Sequence, residues 1–64
     1  MVKVNQVYTT RFGGVYQILG IQSDGVVHVI NLKHLYGIES TRRLAHIKKS
    51  WILVGNNYRV RKHG

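Results

Sequence analysis

The chain predicts a small all-β fold, a barrel of five short strands with at most one short helical turn. Three observations predict it. Residues 15–22 and 26–31 are runs of β-branched and aromatic side chains that flank Ser23-Asp24-Gly25, and Asp-Gly between such runs is a strong hairpin signal. Further short apolar runs follow, separated by glycine-containing turns, with no proline anywhere; many short strands joined by tight turns is the barrel pattern. Finally, Gly20 interrupts the second run, and a mid-strand glycine marks the bend or bulge that a small closed barrel needs.

In chain order, a first strand is expected within residues 2–10, where Val2, Val4 and Val7 alternate with polar residues and Tyr8-Thr9-Thr10 continue in strand-prone chemistry. Arg11-Phe12-Gly13-Gly14 is a turn whose paired glycines imply a sharp reversal or a close backbone approach. In the second strand Tyr16 and Ile18 share one face and Leu19 and Ile21 the other. A bulge at Gly20 shifts the facing of the side chains after it and lets both sets be buried. Val27 and Val29 share one face of the third strand. The Asp24-Gly25 turn is expected to be of a primed type, with positive φ at Gly25.

Residues 32–37 read as a turn or irregular crossing, and residues 38–43 as a fourth strand. Residues 40–51 admit two readings. Ser40 or Thr41 caps a helix carrying Leu44, Ile47 and Trp51 at i, i+3 and i+7, or a strand to Arg43 precedes a short helical turn near residues 45–50. The second is favoured, because a lone helix with three large apolar residues is marginal. Residues 51–54 read as a short buried strand and residues 55–57 as a turn. From Tyr58 to Lys62 the pattern puts Tyr58 and Val60 inward and Arg59 and Arg61 outward. Residues 1–62 form one domain in this reading, with residues 63–64 a frayed tail.

Ten Lys and Arg oppose two acids, Asp24 and Glu39, for a net charge of +8 and a pI near 10.5 on 7.4 kDa. A field of one sign favours polyanions. There is no cysteine, so no disulfide supports a domain this small, which buries only ~60% of its unfolded surface. Its absence is compatible with the cytosol. None of His28, His34, His46 and His63 lies three or four residues from another, a poor spacing for a metal. The N-terminus lacks a signal-peptide pattern and every apolar run is too short to span a membrane.

Catalysis is not expected. Asp24 is explained by its turn, which leaves no carboxylate pair for acid–base work; the serines lack a Gly-x-Ser-x-Gly context; no nucleotide-binding fingerprint is present. No cofactor, metal or small-molecule substrate is expected. The cations fall in two clusters, Arg42, Arg43, Lys48 and Lys49 around His46, and Arg59, Arg61, Lys62 and His63, with Arg11 and Lys33 on loops. Lys and Arg at phosphates release counterions and so supply affinity without sequence preference. Tyr16 and Trp51 are expected in the core, and Phe12 and Tyr36, beside loop glycines, are the candidates to stack on bases. The expected nucleic-acid-binding residues are therefore Arg11, Phe12, Lys33, Tyr36, Arg42, Arg43, Lys48, Lys49, Arg59 and Arg61.

Thr9-Thr10, Gly13-Gly14, Tyr16-x-Ile18, Asp24-Gly25, Val27-x-Val29, Tyr36-Gly37 and Ile47-Lys48 together resemble the small basic SH3-like barrel modules of tailed-phage genomes, stand-alone or appended to phage homing endonucleases. The likeness covers about residues 6–52. It departs at Asn31, where those modules carry an aromatic, and at Leu35-Tyr36-Gly37, where they read Thr-Gly-Tyr. The resemblance implies a five-stranded barrel and a nucleic-acid or host-protein partner. The expected function is non-enzymatic nucleic-acid binding, DNA favoured over RNA, dominated by phosphates and with weak sequence preference. The alternative is a phage-type inhibitor that docks its basic face on an acidic host protein. The expected location is the cytoplasm, of a bacterial host if the chain is phage-encoded, with no membrane partner. The sequence leaves the oligomeric state open.

Overall fold

A computed structural model describes residues 1–56. They form five antiparallel strands and one short helix: β1 (Val7–Thr9), β2 (Val15–Ile21), β3 (Val26–Asn31), β4 (Glu39–Arg43), α1 (Leu44–Ser50) and β5 (Ile52–Gly55). The sheet order is β4-β3-β2-β1-β5. Consecutive hairpins lay down β1 to β4, and the chain then returns through α1 so that β5 pairs with β1. The fold is small and all-β, five antiparallel strands in one sheet with one short helix, as the sequence predicts. The expected strand at residues 58–62, with Arg59 and Arg61, lies outside the described residues.

The core follows from register. Ile18 stands opposite Val29, and Val27 opposite Ile21. Ile18, Val27, Val29 and Ile47 are wholly buried, and Val2, Tyr8 and Trp51 complete the cluster, with Tyr16 and Leu44 packed on it. Between Ile18 and Gly20 the register slips, leaving Leu19 as the extra residue. This is the expected bulge, but it does not bury both apolar sets. Leu19 and Ile21 are both exposed, although Ile21 pairs with buried Val27, and of Tyr16, Ile18, Leu19 and Ile21 only Ile18 is wholly buried.

The β2–β3 turn departs from expectation. Gly25 has φ +87°, but Asp24 is not in the left-handed region, so a type I′ turn is excluded. The Gly25 amide donates to the Gln22 carbonyl at 3.1 Å and the Gln22 amide to the Val26 carbonyl at 2.8 Å. That is a three-residue loop, a turn followed by glycine in the left-handed region that forms a G1 bulge. Asp24 closes it by accepting the Val26 amide at 3.1 Å.

One further expectation needs correction, at residues 52–54. The first strand falls within residues 2–10 as expected, at their C-terminal end. Asn5 adopts φ +71° and the Gln6 amide turns onto the Lys3 carbonyl, so regular pairing starts at Val7. Residues 52–54 are not buried: Ile52 is 64% exposed, and Leu53 and Val54 are also exposed. In the described sheet β5 is an edge strand, and Trp51, just ahead of it, is the side chain that reaches the core. At residues 40–51 the favoured reading holds, a strand to Arg43 followed by a short helical segment, so neither Ser40 nor Thr41 caps α1. Arg43 occupies that position without a side-chain bond, and the Leu44 amide donates to the Gly25 carbonyl at 2.8 Å. The hairpin turn thus satisfies an N–H that helix geometry leaves unpaired.

Candidate nucleic-acid interface

A cleft of about 700 Å³ opens between the β1–β2 turn, the start of β2, β4 and α1, lined by Arg11, Phe12, Tyr16, Arg42, His46 and Lys49, together with Thr10, Gly14, Ser50 and Trp51. Its size is within the ~300–1,000 Å³ range of ligand sites. Among the described residues no carboxylate lines it, so the three cations Arg11, Arg42 and Lys49 face it with no acidic side chain beside them there.

Each wall has a local cause. In the β1–β2 turn the Gly13 amide donates to the Thr10 carbonyl (3.1 Å), the Thr10 amide to the Gly14 carbonyl (3.0 Å), and the Gly14 amide to Thr10 Oγ1 (3.1 Å). Gly13 sits at φ +84°, and a Cβ on Gly14 would meet Tyr16 Cε2 at 2.8 Å. The two expected roles of the pair, sharp reversal and close approach, are thus divided between them. This bonded loop displays Arg11 and Phe12, the latter 92% exposed. From the β3–β4 loop Lys33 Nζ donates to the Gly13 carbonyl at 3.1 Å, bracing the turn from outside.

The floor is aromatic. Tyr16 and Trp51 stack with centroids 4.8 Å apart at 21°, and His46 meets the Trp51 ring edge-on at 6.3 Å. Arg42 Cζ lies 5.5 Å over the Tyr16 ring, a cation–π distance. Arg42 Nη1 also donates to Ser40 Oγ at 3.1 Å and to the Thr41 carbonyl at 2.7 Å. The guanidinium is therefore held in place before any ligand arrives. It points inward because Arg42 pairs with buried Val27, on the core side of the sheet.

Strand alternation splits the first basic cluster. Arg43 pairs with Val26 and faces the other side of the sheet from Arg42. Helix geometry splits the lysines, since adjacent residues point about 100° apart. Lys49 lines the cleft, whereas Lys48 lines a separate shallow depression with Met1, Val2, Tyr8 and Leu53. The expected single patch of Arg42, Arg43, Lys48 and Lys49 is therefore corrected to Arg42 and Lys49 with Arg11, which adjacency in sequence concealed. Tyr36 is 83% exposed on the β3–β4 loop, tilted against His34 at 6.1 Å, and does not line the cleft. Arg59 and Arg61 lie outside the described residues.

Sequence reasoning assigned Tyr16 and Trp51 to the core alone. They are core residues that also form the cleft floor. His46 and Ser50 went unselected. The helical spacing of 46 to 49 and 50, on the side away from Leu44 and Ile47, is the signal that finds them. Among the described residues no group of His, Asp or Glu is arranged to hold a metal, and no helix is long and apolar enough to cross a membrane. A scan against protein-family models, a search of curated proteins and a search of solved structures each found no match.

Proposed function

We propose that this protein is a small non-enzymatic nucleic-acid-binding module, DNA ahead of RNA, that grips phosphates along the cleft with weak sequence preference. One observation carries the reading: Arg11, Arg42 and Lys49 converge on one cleft with no carboxylate among its described lining residues. Arg42 is preorganised there, so less conformational entropy is lost when it meets a phosphate. The likeness to phage SH3-like modules and a cytoplasmic site of action belong to the same reading.

The test is fluorescence anisotropy with labelled DNA and RNA oligonucleotides across a salt series. Each neutralised phosphate steepens the fall of log K with log salt by ~0.7–0.9. Arg11→Ala and Lys49→Ala each weaken binding alike for all sequences and make the slope shallower by about that amount. Arg43→Ala, on the opposite face of the sheet, leaves the slope nearly unchanged. Absence of binding to every DNA and RNA at low salt, with capture of one acidic protein from nuclease-treated lysate, would overturn the reading and favour a protein-docking role for the same face.

A further inference from the structure

Phe12 is the least explained side chain among the described residues. It is 92% exposed, belongs to no part of the core, and sits beside the cation Arg11 at the mouth of the cleft. An exposed phenyl ring on a floppy loop is ordinary. This loop is not floppy by its bonding: three hydrogen bonds close it, and Lys33 Nζ holds the Gly13 carbonyl from a second loop. The fold therefore commits polar contacts to displaying an apolar ring at a fixed place next to three cations.

The other aromatics at the cleft cannot take that role. Tyr16 has the Trp51 ring stacked on it and Arg42 over it, and Trp51 is buried. Of the described Phe, Tyr and Trp rings lining the cleft, Phe12 is the one left open to a ligand; the exposed His46 imidazole already meets Trp51 edge-on. Cations that hold phosphates, with an open ring a short distance away, form the combination that binds single-stranded nucleic acid: the groove tracks the backbone and the ring stacks on a base. A duplex keeps the faces of its bases stacked inside and offers the ring only sugar and phosphate.

We propose that the cleft's ligand is single-stranded nucleic acid, with an unpaired base stacked on Phe12 and the adjoining phosphates held by Arg11, Arg42 and Lys49. This rests on the nucleic-acid reading above and names its substrate class. A charged cleft alone prefers the higher charge density of a duplex, so a preference for single strands reports the ring.

Three probes of equal length separate the contributions: a labelled oligothymidine, a mixed-sequence duplex, and a strand in which the central nucleotides are abasic and so keep phosphates without bases. The expected result is tighter binding of oligothymidine than of duplex or abasic strand. Phe12→Ala lowers the oligothymidine affinity roughly 5- to 150-fold, the range of one base–aromatic stack, and leaves duplex and abasic affinities within about twofold. Phe12→Tyr retains the preference. The melting temperature of Phe12→Ala stays at the wild-type value, because the ring is 92% exposed and outside the core cluster. Equal affinity for all three probes, unaffected by Phe12→Ala, overturns the single-strand proposal while phosphate binding stands. An equal loss on duplex also overturns it and makes Phe12 a wedge between base pairs. Failure of every probe to bind defeats the nucleic-acid reading itself.

Discussion

Tyr8 joins the core to the polar network that closes the fold's N-terminal end. Its ring is buried beside Trp51 at 6.5 Å, and its hydroxyl donates to Gln6 Oε1 at 2.8 Å. The same Gln6 oxygen accepts the Lys3 amide, and Gln6 Nε2 donates to Asn56 Oδ1 at 2.9 Å. No buried polar side-chain atom among the described residues lacks a partner. Burial raises the Tyr8 phenol above its ordinary value near 10. The folded state thus holds this proton more tightly than the unfolded one. Its contribution to stability is complete below about pH 10 and is lost as pH rises through the raised folded value. Tyr8→Phe loses the hydrogen bond at neutral pH, a cost of about 0.5–1.5 kcal/mol, but has no phenol to ionise. Urea midpoints measured from pH 8 to 11 are expected to converge for the two proteins as pH rises; parallel curves would refute the buried-phenol account. The sequence placed Trp51 and Tyr16 in the core correctly. It did not show that their stacked rings also face a cleft, because that depends on which residues of α1 and β4 meet them.

The β2–β3 hairpin was the most legible element. Its strands, its bulge and the positive φ of Gly25 all follow from local chemistry, since each depends on neighbours within a few residues. The turn class was misread because Ser23-Asp24-Gly25 suits either a two-residue primed loop or a three-residue loop with a G1 bulge, and strand register decides between them. A Cβ at Gly25 meets nothing within 4 Å, so its replacement tests backbone strain alone. Gly25→Val is expected to cost about 1–3 kcal/mol, or roughly 4–8 °C of melting temperature per kcal/mol in a domain this small. Gly25→Asn, which tolerates the left-handed region, is expected to cost clearly less. Equal melting temperatures for both variants and wild type would refute the strained turn. Residues 52–54 were misread for the opposite reason: an apolar run looks the same in a central strand and at an edge, and only sheet order distinguishes them.

At the scale of the whole molecule, the sequence established the charge but not its distribution. A pair such as Arg42-Arg43 contributes the same +2 to a sum whether its members share a face or oppose one another, and here β4 sends them apart. Sheet order has a comparable effect on time. The hairpins from β1 to β4 are local, whereas β5 must find β1, with Leu53 meeting Tyr8 across most of the chain, and closure over long separations is slow. The bond from the Leu44 amide to the Gly25 carbonyl links the two stages. The helix gains its first anchored amide once the β2–β3 turn exists, so the turn guides the returning chain toward β1. In kinetic experiments Gly25→Val is therefore expected to act mainly by slowing refolding, with a φ-value above 0.5, while Leu53→Ala acts mainly by speeding unfolding. The reverse pattern would mean that β5 docks before the turn forms. With the expected pattern, the chain beyond α1 is the last to settle, and a chain halted before β5 pairs has Arg11, Phe12 and Arg42 on its hairpins but not the finished far wall that carries Lys49.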